Sequence, residues 1–151
     1  MLQRFDAFVT GITICYKYIQ RIKAAEMTPF GLKGTHVMCL HHLRQNPDGL
    51  TAAQLCTLCA EDKAAISRTV SELRQSGYIT SPSTKSYRAL LLLTEVGQEL
   101  CKKMDSLIEG WVAAGGDGLT TRERLDFYRS LELISNNLRA HMERDPKFNE
   151  D

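Results

Sequence analysis

The sequence lacks any run of about 18 consecutive apolar residues, so it contains no helix fit to span a bilayer. Its start, Met1–Asp6, has neither the basic opening nor the apolar stretch of a secretory signal, and a cytoplasmic protein with no membrane partner is expected. Proline is scarce, with four residues in 151, and there is no low-complexity tract or internal repeat. With 43% hydrophobic and 25% charged residues, the chain falls outside the disordered and fibrous classes. The five cysteines, Cys15, Cys39, Cys56, Cys59 and Cys101, are an odd number scattered through apolar periodic segments. That pattern excludes a secreted disulfide framework and points to reduced thiols. No glycine-rich phosphate loop, Ser-His-Asp arrangement or paired carboxylates stand out, so nothing argues for an enzyme or a cofactor. Cys56-Thr57-Leu58-Cys59 has the spacing of half a zinc site, but no second pair follows, and His36, His41, His42 and His141 form no ligand set. No metal is expected, and the two thiols are expected to pack as small apolar groups.

A net charge of +1 conceals an uneven distribution. Residues 62–94 carry +3, from five basic and two acidic side chains, whereas residues 95–151 carry −4, from eight and twelve. Positive charge collected in one central segment is what a phosphate-binding surface requires.

Phe5, Phe8, Ile12, Cys15, Ile19 and Ile22 alternate in spacings of three and four, the stripe of a helix over residues 4–25 whose apolar seam meets another helix or the chain's own core. Thr28-Pro29 and Gly31 end it, and a second helix, Lys33–Gln45, stops at Asn46-Pro47-Asp48-Gly49. Thr51 with Gln54 forms a capping-box pattern before a short helix, Ala52–Ala60. Asp62 caps a fourth helix, Lys63–Ser76, with Ile66, Val70 and Leu73 inward and Gly77 as its stop. Tyr78–Ser83 and Tyr87–Leu93 read as a hairpin, although the run Ala89–Leu93 also suits a helix. Thr94 caps a long helix with Val96, Leu100, Met104, Leu107 and Trp111 on one face, and Gly115-Gly116-Asp117-Gly118 ends it. Thr120 with Glu123 opens a last helix, to about Arg144, striped by Tyr128, Leu131, Leu138 and Met142.

The expected class is therefore mainly α, α+β in detail: a winged helix-turn-helix between long terminal helices. In such a unit one helix braces against the phosphates and the next offers short side chains to base edges in the major groove. The candidate DNA-contacting residues are Thr51, Lys63, Ala64, Ser67, Arg68, Ser71 and Arg74, with Thr84, Lys85 and Arg88 at the hairpin tip.

Leu50-Thr51-Ala52-Ala53-Gln54-Leu55, Ala65–Leu73, Ser76-Gly77-Tyr78-Ile79 and Leu93-Thr94-Glu95-Val96-Gly97 stand in an order that resembles the multiple-antibiotic-resistance-regulator (MarR) family of winged-helix transcription regulators. The resemblance covers nearly the whole chain. It implies one domain, 1–151, with a DNA-binding lobe at 30–94 and a dimerisation lobe from 1–29 and 95–151. It also implies a homodimer, a roughly palindromic double-stranded DNA operator and a small-molecule effector, together making a ligand-responsive repressor. The wing departs from the family pattern, because Lys85 and Tyr87 stand where an Asp-x-Arg pair is usual. Arg88, one residue on, serves in its place only if a bulge shifts the strand. Some relatives sense peroxide through a cysteine on the first helix, which makes Cys15 a candidate redox residue. A redox-sensing regulator on this scaffold is one alternative. A winged-helix protein-interaction module without DNA binding, suggested by the near-neutral charge and altered wing, is the other.

Overall fold

A computed structural model describes residues 2–82 and 89–148. Helix α1 spans Leu2–Met27, a 3-10 turn follows at Thr28–Phe30, and α2 (His36–Gln45), α3 (Ala52–Cys59) and α4 (Lys63–Gln75) come next. Strands β1 (Ile79–Thr80) and β2 (Leu92–Leu93) precede α5 (Glu95–Gly115), α6 (Thr121–Arg144) and a 3-10 turn at Pro146–Phe148. The chain is mainly helical with one small antiparallel sheet, the winged helix-turn-helix class the sequence predicts. Among the described residues no helix is long and apolar enough to cross a membrane.

The chain forms two compact units, Met1–Leu107 and Ile108–Asp151, with α5 contributing to each. The core of the first unit gathers Met27 from the end of α1, Val37, Leu40 and Leu43 from α2, Leu55 from α3, Ile66 and Leu73 from α4, Ile79 from β1, Leu91 just before β2, and Leu100 and Met104 from the first half of α5. Of α1 itself only Lys23 and Met27 are buried. In the second unit a reciprocal capping box opens α6, with Thr120 accepting from the Glu123 N–H and Glu123 accepting from the Thr120 N–H. Arg124 Nη2 donates to the Gly116 carbonyl at 2.7 Å, tying the first turn of α6 to the glycine-rich loop. α6 buries none of its residues, and its striped positions Tyr128, Leu138 and Met142 are at least half exposed.

Four expectations are refined. α2 begins at His36 rather than Lys33, because Gly34 lies so close to α1 that a Cβ would meet the Ala24 nitrogen at 3.1 Å. That close approach sets the chain's path before the helix can start. The inward face of α4 is Ile66, Thr69 and Leu73, with Val70 half-buried at its edge. Ala89–Leu93 resolves as extended chain rather than helix: Ile79 pairs with Leu93, Thr80 with Leu92, and Leu91 bridges to Leu50 through two backbone hydrogen bonds of 2.8 and 3.1 Å. Backbone partners on both sides overrule the leucine preference for helix.

The fourth refinement is on α5, where Val96 is 62% exposed and Gly97, Leu100, Cys101 and Met104 face inward. The cause is the junction that starts the helix. Thr94 Oγ1 accepts from the Gly97 N–H at 3.0 Å, as an N-cap should, and donates to the Gly77 carbonyl at 2.7 Å. The Thr94 N–H donates to the Tyr78 carbonyl at 3.0 Å. Gly97 then lies directly against that carbonyl, where any Cβ would collide with the oxygen. With Gly97 forced inward, Val96 turns out.

Gly97→Ala is expected to destabilise the chain by about 2 kcal/mol or more, since the clash is with backbone rather than a movable side chain. Gly110→Ala, also in α5 but with open space around its Cβ, should be neutral or stabilise by up to about 1 kcal/mol. Urea unfolding of the two variants measures the contrast, and equal midpoints would remove the junction from the account of the fold.

Candidate nucleic-acid interface

Local rules set α3 and α4 at an angle. Thr51 Oγ1 accepts from the Gln54 N–H at 3.2 Å, and Gln54 Oε1 accepts from the Thr51 N–H at 2.8 Å. α3 ends at Ala60, whose φ of 53° and ψ of 43° place it in the left-handed region, a conformation rare for residues other than glycine. The Glu61 N–H reaches back to Cys56 and the Ala60 N–H to Thr57, closing the helix end. Asp62 starts α4 two residues later, its Oδ1 accepting from the Ala65 N–H at 2.7 Å. Satisfied caps on both sides of a two-residue turn fix the direction of α4.

The other end of α4 is closed in the same way. Gly77 takes a φ of 76°, and the N–H groups of Tyr78 and Gly77 bond to Leu73 and Arg74 at 3.0 Å each. Its last turn is also gripped by His36 at the start of α2 and by Lys33 just before it. Glu72 receives a hydrogen bond from Lys33 Nζ and a second, of 2.7 Å, from His36 Nε2. His36 is buried, and its Nδ1 accepts from the Lys33 N–H at 3.0 Å. A backbone N–H only donates, so the proton of the neutral ring sits on Nε2 and points at Glu72.

Held at three places, α4 turns Ile66, Thr69 and Leu73 inward and leaves Lys63, Ala64, Ser67, Arg68, Ser71 and Arg74 exposed. All six sequence-predicted residues of this helix therefore lie on its solvent side. Thr51 is half-buried, with its hydroxyl and N–H engaged in the cap of α3. Thr84, Lys85 and Arg88 lie outside the described residues. Cys15 is exposed on α1. The Lys33, His36 and Glu72 bracket was not anticipated from the sequence, and no local signal marks it, since its members are 36 and 39 residues apart.

A model of the MarR family matches residues 30–94. No curated protein matches the chain. Among solved structures, the chain is similar to a MarR transcriptional regulator from Methanosarcina mazei Go1, at 22% identity and a TM-score of 0.78, over 87% of this chain and 89% of that one. It is also similar to a Listeria monocytogenes protein assigned to the MarR family of transcriptional regulators and crystallised with a 26mer DNA. There the identity is 22% and the TM-score 0.80, over 86% and 87% of the two chains. A MarR protein from Peptoclostridium difficile aligns at 18% identity and a TM-score of 0.80, over 89% of each chain.

The bracket on α4 carries a pH signature. Hydrogen bonds from Lys33, and then from His36, hold the Glu72 carboxyl below its ordinary value. A carboxylate with a depressed folded-state pKa contributes stability in full above its unfolded pKa and loses it as pH falls through the folded one. The difference in urea midpoint between the parent and Glu72→Gln should therefore be present at neutral pH and shrink as pH drops below about 4.3. A difference that stays constant down to pH 2 would show that the charge of Glu72 does not support α4.

Proposed function

On the match of residues 30–94 to a model of the MarR family, we propose that the chain is a sequence-specific DNA-binding regulator of that family, working by binding rather than catalysis. The observation that carries the reading is the exposed face of α4, which combines Arg68 with the short side chains of Ala64, Ser67 and Ser71. Ala64, Ser67 and Ser71 are small enough to let the helix enter a major groove, and Arg68 suits the paired acceptors of a guanine edge. Lys63 and Arg74, near the two ends of the helix, suit phosphates. The +3 charge of residues 62–94 supports the same partner, as does the DNA in the Listeria monocytogenes crystal.

In this reading residues 30–94 form the DNA-binding lobe, and residues 1–29 and 95–151 join two copies. The support is the seam of α1, where Phe5, Phe8, Ile12, Cys15, Ile19 and Ile22 are all exposed in the single chain. That exposure supports a seam between copies over an intrachain core for the stripe. Complete burial of a large aliphatic or aromatic side chain is worth about 1.5–3 kcal/mol, so a stripe of this length favours association. Two copies related by a twofold axis would present their α4 helices to successive major grooves of a palindromic operator, about one helical turn apart. The response to an effector is read into a cleft of about 300 Å³ whose lining includes Tyr16, Gln20, Lys23 and Glu61. Lys23 is buried there, and its ammonium is held below the usual lysine value by desolvation, which favours a ligand carrying negative charge. An effector that binds the two arrangements of the dimer unequally would relieve repression by shifting their populations.

Arg68→Ala is expected to lower the discrimination between operator and random DNA by about 1–3 kcal/mol if its guanidinium makes a bidentate base contact. Binding titrations at fixed salt, with sites recovered by genomic fragment selection, measure it, and unchanged discrimination would take Arg68 out of the base-reading set. Ile19→Asp is expected to leave the chain monomeric at micromolar concentrations where the parent sediments as a dimer. A parent that sediments as a monomer throughout would overturn the dimer.

A further inference from the structure

Cys39 on α2 and Cys59 at the end of α3 bring their sulfurs to 3.6 Å, although they are 20 residues apart and the sequence pairs Cys59 with Cys56. A disulfide has its sulfurs about 2.05 Å apart, so a closing movement of about 1.5 Å, within reach of a side-chain rotation, would join them. We propose that Cys39 and Cys59 form an oxidisable dithiol, in which Cys59 is attacked by a peroxide and Cys39 resolves it to an intrachain disulfide.

The two thiols have different surroundings, and these assign the roles. Cys59 is half-buried and lines the cleft that also exposes Tyr16 and Gln20, so a small oxidant reaches it from solvent. Cys39 is only 1% exposed and lies behind it. The hydrogen bond from Cys39 holds the Cys59 thiol below its ordinary value, and the Lys23 ammonium acts in the same direction against the opposing effects of burial and Glu61. The same hydrogen bond, with burial, pushes Cys39 up. Thiolate character and access together decide which sulfur a peroxide meets first, and both select Cys59.

The chemistry balances with the peroxide as the only co-reactant. The Cys59 thiolate attacks the distal oxygen of the peroxide, so that an S–O bond forms as the O–O bond breaks; Cys59 becomes a sulfenic acid, and the departing hydroxide, or alkoxide from an organic peroxide, takes up the proton that Cys59 lost on ionising. Cys39 Sγ then attacks the sulfenic sulfur, hydroxide leaves, and the proton lost by Cys39 converts it to water. Two thiols lose two electrons, and the peroxide yields water, with a second water or an alcohol.

The test uses the whole reduced chain, hydrogen peroxide and no DNA, so its result is separate from the DNA-binding reading. Free thiols should fall from five to three, the intact mass should drop by two hydrogen atoms, and peptide mapping should recover the Cys39 and Cys59 peptides linked. Cys56→Ser should keep the link. Cys39→Ala should lose it and accumulate a Cys59 sulfenic acid that dimedone traps. The parent alone decides the matter should a variant fold poorly: all five thiols surviving, a link through Cys56 or between chains, or Cys59 passing to the sulfinic acid with Cys39 still free would each overturn the proposal.

Discussion

The Thr94 hydroxyl is the contact on which the winged-helix unit depends. It caps α5 through the Gly97 N–H and in the same place donates to the Gly77 carbonyl, which belongs to the turn that ends α4. The Thr94 N–H takes the neighbouring Tyr78 carbonyl, and the bare Cα of Gly97 lets α5 approach that peptide. One side chain and one missing side chain thus join the end of α4 to the start of α5, with the two strands spanning between. The orientation of α4 then has three sources: this junction behind it, Asp62 in front of it and the Lys33 and His36 bracket on Glu72 in its last turn. A helix fixed in this way can present the same side chains at the same angle each time, which recognition of a rigid groove demands.

The outer helices follow the opposite rule. α1 buries two residues and α6 none, while both carry apolar stripes. The middle of the chain satisfies itself, and its ends do not. Burial of apolar surface is the main driving force for folding and for association alike, and both stripes keep apolar surface that the single chain leaves exposed. The near-neutral net charge belongs to the same division, because the acidic excess lies in residues 95–151 and leaves the basic excess of residues 62–94 intact.

Most of this organisation was legible in the sequence, and what was legible is local. Thr51 with Gln54, Asp62, Gly77, and Thr120 with Glu123 are caps whose partners lie within a few residues, so residue type and spacing alone located them. The Leu93–Gly97 element was readable as a motif, but its physical cause, the peptide at Tyr78, was not. Thr69 and Val70 exchanged places, and Val96 turned outward, because a periodic stripe defines a face only to within about one position and contacts from other elements choose the final rotation. The grip of Lys33 and His36 on Glu72 and the approach of Cys39 to Cys59 were out of reach for the same reason. Each joins positions brought together only when α2 packs against its neighbours, and nothing in the spacing of 20, 36 or 39 residues announces it.

The Cys39 and Cys59 pair and the start of α4 meet at Ala60. Cys59 is the last residue of α3, Ala60 holds the left-handed conformation that turns the chain, and Asp62 begins α4. A non-glycine residue in that region is held there by its surroundings, here by the hydrogen bonds of Ala60 and Glu61 to Thr57 and Cys56. Drawing Cys59 towards Cys39 would pull on the residue next to the strained one, one step from the cap that sets the direction of α4. The turn that gives α4 its angle is therefore also the place where a covalent change in α3 would reach it, without a longer path through the protein being needed.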